Sequence, residues 1–217
     1  MADAHKECQA HVAAVLREVN TVKYLTEALQ QLGRAWRPEQ VKCVSGRQLP
    51  SSAFDSDGRP LAMAGYIWRD IGEHTKRGDI LLHEEALHSQ ADVERSLRHE
   101  LIHAFDDARG FLDPSNCYHQ ACSEIRAARL SGDCFVAEEI RRGHFDLFTS
   151  GKRCVERRAG MAVERNPMCR GFGSRAVDAV MGRCYRDYEP FVAPLYHMGS
   201  WPSPHGPPAG APTSGDA

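Results

Sequence analysis

Short strand-like runs followed by longer helical ones predict an α+β domain with a small sheet and several helices. Two observations carry this. Before residue 90 the apolar runs at 41–44, 61–68 and 79–83 are too short for helices, and from Ala91 onward apolar residues recur at helical spacing. A third bears on solubility: 42% hydrophobic and 26% charged residues, mixed along the chain, are ordinary for a soluble globular protein. The 217 residues are enough for one core without added staples.

The chain opens on an amphipathic stretch over 5–32. Cys8, Val12, Val15, Leu16, Val19, Val22, Leu25, Leu29 and Leu32 form one stripe, and Gly33 is the stop. This reads as one helix docking on the core, since a membrane-surface helix would carry more Lys and Arg on its polar face. A strand over 41–44 comes next, then a loop at 50–60 (PSSAFDSDGRP), then strands over 61–68 and 79–83. From Ala91, the stripe Val93, Leu97, Leu101, Ala104, Phe105 and Ala108 marks a helix that Gly110 terminates. Pro114 and Asn116 turn the chain into a second helix over about 119–130. Further helices are expected over 134–142, 152–165 and 174–189. The tail over 201–217 is rich in Pro, Gly, Ala and Ser and is expected to be disordered, which leaves one domain over 1–200.

The formal net charge of −2, with no basic stripe, argues against a nucleic-acid partner. No apolar run approaches the roughly 20 residues of a membrane-spanning helix. The first ten residues, MADAHKECQA, read as neither a secretory nor a transit presequence, lacking an apolar region and carrying Asp3 and Glu7 early. Eight cysteines are spread over the chain, an even number that fits a disulfide framework or buried thiols. None is spaced CxxC, which removes the usual knuckle of a structural zinc ribbon.

The chemistry concentrates at His99-Glu100-Leu101-Ile102-His103, an HExxH motif inside the predicted helix. Residues four apart share a helical face, so His99 and His103 can converge on one Zn²⁺. Glu100 adjoins the first ligand and is placed to act as general base toward a water that zinc activates. The apolar Leu101 and Ile102, and flanks free of Pro and Gly, fit a motif seated in a helix rather than a chance pairing of histidines. A catalytic zinc takes a third protein ligand, and Glu124 is the candidate, on the second helix 21 residues beyond His103. Its stretch ACSEIRAARL would fold back with Ala121, Ile125 and Ala128 packed on the motif helix. His119, Asp106 and Asp107 are the rival ligands, the two aspartates reading more naturally as supporting or surface charges. Tyr118 or His119 could serve as an oxyanion donor.

The block over 98–134, RHELIHAFDDARGFLDPSNCYHQACSEIRAARLSGDC, resembles the mitochondrial inner-membrane metalloproteases that process an ATP-synthase subunit, some of whose members are described as Ku-binding proteins. The similarity rests on HELIHAFD, on the loop into ACSEIRAA and on LSGDC. It extends more weakly through Cys154, Ala159, Pro167 and Cys184 to most of 5–190. It implies a zincin-like metalloendopeptidase with His99 and His103 as zinc ligands and Glu100 as the catalytic residue. It further implies peripheral attachment to the inner membrane on the oxidising intermembrane-space side, an ATP-synthase subunit as protein substrate, and a chaperone role in assembling that complex. The oxidising compartment turns the cysteines toward disulfides. At least two are expected, through Cys117, Cys122 or Cys134, pinning the second helix to the motif helix. One departure stands out: His83-Glu84 occupies the place where a Cys-Asn pair is expected, so one disulfide partner should be missing and the substrate contact there altered. Two other readings compete, an assembly scaffold with a structural zinc and a nuclear partner of a DNA-repair factor. Glu100 speaks against the first, because a structural site has no use for it.

Overall fold

In a computed structural model that describes residues 2–49, 62–145 and 150–192, the N-terminal stripe is divided between two helices, α1 (Ala2–Glu18) and α2 (Asn20–Gln31). The break is at Val19, which adopts an extended conformation with φ −90° and ψ 107°. One helix over 5–32 was expected. Both segments bury the same stripe, Cys8, Val12 and Val15 on α1 and Val22, Leu25 and Leu29 on α2, so the periodicity runs across a single non-helical residue without a visible change. Gly33 closes α2 at φ 77°.

Three strands follow: β1 (Val41–Val44), β2 (Ala64–Tyr66) and β3 (Ile80–His83). Their order is β1-β3-β2, with β1 parallel and β2 antiparallel to β3, so β2 is an edge strand. The expected loop at 50–60 and the tail over 201–217 lie outside the described residues. The sheet packs on α3 (Gln90–Ala108). Ser89 caps this helix by accepting from the Asp92 N–H, and its apolar side, Val93, Leu97, Leu101 and Phe105, completes a core with α1, α2 and β3. Gly110 at φ 78° ends it as the sequence implies.

Asn116 then caps α4 (Cys117–Leu130), accepting from the N–H groups of Tyr118 and His119. The short α5 (Val136–Arg141), α6 (Ser150–Arg165) and α7 (Gly173–Cys184) follow. Ala121, Ile125 and Ala128 of α4 join Cys154, Val155, Ala159 and Val163 of α6 and Ala176, Val177 and Met181 of α7 in a second core. That corrects the expected packing. These alanines face α6 and α7, while Ser123 and Arg126 meet α3 through polar contacts with its side chains, and Ala127 and Leu130 belong to the first core. No helix among the described residues is long and apolar enough to cross a membrane.

All eight cysteines are paired, as Cys8–Cys43, Cys117–Cys169, Cys122–Cys184 and Cys134–Cys154. The expected disulfides are present, but they fasten α4 to α7 and to the turn at Cys169, and the segment after α4 to α6. None ties α4 to the motif helix. Nor is a partner missing: at the position expected to lack a cysteine, His83 Nε2 is 3.0 Å from Glu85 and Glu84 is 2.7 Å from His5 Nδ1.

A candidate metal centre on two helices

His99, Glu100 and His103 lie in the middle of α3, and α4 runs beside it. The side chains of His99, His103 and Glu124 converge, with one potential ligand atom of each within 4.8 Å of the others. His99 Nε2 is 3.6 Å from Glu124 Oε2, and His103 Nε2 is 3.7 Å from Glu124 Oε1. Ligands at about 2.0–2.1 Å on a tetrahedral ion are roughly 3.3 Å apart, so small side-chain adjustments would bring these atoms onto one zinc. One nitrogen from each imidazole and one carboxylate are a suitable donor set for a borderline-soft divalent ion. Among the described residues this is the only such cluster of three.

The other ring nitrogens are committed. His99 Nδ1 is 2.9 Å from Asp133 Oδ2, an oxygen that also accepts from Arg158 Nη2 at 3.0 Å. His103 Nδ1 is 2.7 Å from Ser123 Oγ, and that hydroxyl donates to Asp106 Oδ2 at 2.8 Å. The hydroxyl therefore keeps a lone pair to accept from the His103 Nδ1–H. With a proton held at each Nδ1, Nε2 is the nitrogen that each ring turns to Glu124 and offers to a metal once its own proton is lost. Asp106 is in turn gripped by the fully buried Arg126, whose Nε lies 3.0 and 3.2 Å from its two oxygens.

The electrostatics match this layout. Burial works against charge on His99, but hydrogen bonds to Asp133 and Glu124 prevail and raise its pKa to about 10. Burial likewise opposes ionisation of Glu124, and the two histidines overcome it, His103 foremost, holding the carboxyl below its ordinary value. Glu100 goes the other way: burial raises its pKa and Glu124 adds to the effect, while His99 and His103 oppose. The pKa values of two carboxyls beside one cluster are thus moved in opposite directions.

These residues line an open cleft of about 820 Å³. Met63, Ala64, Gly65 and Tyr66 of the β2 edge and Trp68 beyond it contribute, as do Arg158, Met161, Ala162 and Arg165 of α6. The edge strand is fixed to α3 through Asp107, which accepts from Tyr66 Oη at 2.6 Å and from Arg77 Nη2, with Oδ1, at 2.6 Å. Burial, and then this carboxylate, raise the Tyr66 pKa.

The Peptidase M76 family model matches residues 6–192. The chain belongs to the Peptidase M76 family. It is 34% identical over 191 residues to the mitochondrial inner membrane protease ATP23 homolog of Homo sapiens, covering 87% of this chain and 70% of that one. It is 40% identical over 189 residues to the mitochondrial inner membrane protease atp23 of Schizosaccharomyces pombe, covering 86% of this chain and 91% of that one. A third relative, the mitochondrial inner membrane protease ATP23 of Mycosarcoma maydis, is 42% identical over 136 residues, covering 61% of this chain and 63% of that one. No solved structure matches.

In this family member the structure gathers His99, His103 and Glu124 and leaves the rivals aside. His119 is exposed in the first turn of α4 and does not line the cleft. Tyr118 is also outside it, its ring edge-on to Phe172, so neither residue is placed as an oxyanion donor. Asp106 and Asp107 are buried, not surface charges, and neither lines the cleft, their oxygens meeting Ser123 and Arg126 and Tyr66 and Arg77 respectively. Sequence reasoning missed Asp133, Ser123 and Arg158. Asp133 stands in the LSGDC stretch, the one signal that could have pointed to it.

Proposed function

We propose that the chain is a zinc-dependent endopeptidase with a zincin-like domain over 1–200, in which His99, His103 and Glu124 hold the metal and Glu100 is the general base. The observation that carries this is the convergence of three ligand side chains from α3 and α4 beside a buried carboxyl with a raised pKa. Bound zinc would supply the Lewis acidity that makes water nucleophilic near neutral pH and polarises the scissile carbonyl. Glu100 takes the proton from the attacking water on its carboxylate and returns it to the departing amine, a shuttle suited to a pKa lifted toward the working pH. Asp133 and the Ser123–Asp106 pair hold the imidazoles in the tautomer that presents Nε2.

The edge strand supplies a binding rail. His83 N–H donates to Met63 O and Ile67 N–H donates to Asp79 O, both at 2.9 Å, so the alternate residues Ala64 and Tyr66 turn their peptide groups away from β3, where the Tyr66 N–H meets Glu100 and the Ala64 groups face the edge. An extended substrate can add there as a further strand, which fits an unfolded or membrane-emergent segment better than a folded surface.

The relatives' names support a mitochondrial inner membrane protease. We place it peripherally on the oxidising intermembrane-space side, a setting with which four disulfides are in keeping. Within that setting we assign it an ATP-synthase subunit as protein substrate and a part in assembling the complex. The test is Glu100→Gln in the full chain. It should keep stoichiometric zinc by metal analysis and lose peptide cleavage by about 10²–10⁴-fold, the range of a positioned acid–base group. Cleavage at the wild-type rate would leave a scaffold with a structural zinc as the better reading.

A further inference from the structure

The cleft carries more positive charge than the chemistry just described requires. Six arginines line the cleft (Arg69, Arg95, Arg141, Arg142, Arg158 and Arg165), against the carboxyls of Glu100, Glu124 and Asp133. Five of the six have partners. Arg69 stacks on Trp68, Arg95 meets Asp92 and Glu138, Arg141 meets Glu138, Arg142 meets Glu139, and Arg158 meets Asp133. Arg165 is different. Among the described residues no carboxylate lies within ion-pair distance of it, although it feels the charges of Glu124 and Arg158.

Its position follows from helix geometry. Arg158, Met161, Ala162 and Arg165 stand at i, i+3, i+4 and i+7 on α6, which puts them on one face, and all four line the cleft. Arg158 at one end is spent on Asp133, behind His99. Arg165 ends the row exposed to the cleft, with the small Ala162 and the flexible Met161 between them. A planar guanidinium with its donors uncommitted, beside a channel for peptides, suits bidentate capture of a carboxylate.

Resting on the peptidase reading above, we propose that Arg165 is a specificity residue that binds a peptide carboxylate, so that the cleft selects an acidic residue near the scissile bond. A side-chain carboxylate and a free C-terminus offer the same chemistry, and the test separates them.

The experiment uses the full, zinc-loaded chain and a positional series of internally quenched decapeptides. Each carries Glu, Gln or Lys at one site and a free or amidated C-terminus. Wild type should cleave the best amidated Glu peptide about fivefold more efficiently than its Gln counterpart, chiefly through KM, with the gap narrowing in high salt. Arg165→Gln should bring that ratio to about one, and Arg165→Glu should favour Lys. A gain seen only with a free C-terminus, and lost in both variants, would place the terminal carboxylate at Arg165. No carboxylate preference in wild type, or one that survives in both variants, overturns the proposal. Binding of the same peptides to Glu100→Gln, with and without Arg165→Gln, is followed by fluorescence anisotropy and needs no turnover. If wild type cleaves nothing yet acidic peptides bind through Arg165, the peptidase reading falls and the carboxylate site stands.

Discussion

Replacing Asp133 by asparagine removes one charge and almost no volume from behind His99. Asp133 is 5% exposed, and one of its oxygens, Oδ2, accepts from both His99 Nδ1 and Arg158 Nη2, at 2.9 and 3.0 Å. These contacts hold the carboxyl well below the ordinary carboxylate range, against the pull of burial. In Asp133→Asn the amide oxygen can take the place of Oδ2 and keep both bonds, since the reverse orientation would set an NH₂ against two donors. Each bond then loses its ionised acceptor while Arg158, and His99 in the metal-free chain, remain charged donors, a loss of about 1 kcal/mol apiece, so folding stability should fall by about 2 kcal/mol. Zinc affinity should fall by about 10–100-fold, the usual effect of removing the carboxylate partner of a ligating histidine. Competition with a calibrated chelator measures the second quantity and urea unfolding of the metal-free chain the first. A zinc affinity within threefold of wild type, in a folded Asp133→Asn protein, would refute the argument that Asp133 sets the tautomer and basicity of His99.

Glu124→Ala should lower zinc affinity and peptide cleavage together, as measured by metal analysis beside an activity assay, whereas normal zinc binding would return the third-ligand role to another residue. In the metal-free protein the His99 pKa stands at about 10 against an ordinary 6.5. Its stabilising contribution is therefore complete below about 6.5 and lost as pH rises through about 10, and over that window zinc must displace its proton. Zinc affinity should climb with pH by up to about tenfold per unit, with proton release visible by calorimetry in buffers of different ionisation enthalpy, and a flat profile with no proton released would contradict this. The Cys122–Cys184 bridge spans 62 residues, but with Cys117–Cys169 intact it closes a loop of about 20, so Cys122→Ala with Cys184→Ala should cost about 3 kcal/mol by loop entropy. An unchanged urea midpoint would show that packing of α4 on α7 suffices without the covalent link.

How much of this was legible in the chain depends on the range of the physics involved. The motif His99-Glu100-x-x-His103 is local: residues four apart on one helix share a face wherever the helix packs, so the two candidate ligands and the proposed base are readable from spacing alone. Glu124 is a step further out. Its ligand chemistry and the turn at Pro114 and Asn116 point to it, but the phase of α4 does not follow, because this helix has more than one buried face. Ala121, Ile125 and Ala128 make one stripe and Ser123, Ala127 and Leu130 another, and hydropathy alone favours the first for the motif helix. The structure gives that first stripe to α6 and α7. The polar side, with Ser123 and Arg126, goes to the charged flank of α3, where Asp106 waits as a buried anion. Supporting contacts such as Asp133 to His99, 34 residues apart, or Arg158 to Asp133, 25 apart, obey no period at all. They exist only once the segment after α4 has been set beside α3 and α6. There the Cys134–Cys154 bridge contributes, joining Asp133's chain neighbour to the helix that carries Arg158. The disulfides expected to brace α4 against the motif helix thus act one layer further out. They fix the elements that present Asp133 and Arg158, and leave the proposed metal-binding face of α3 and α4 to be set by hydrogen bonds.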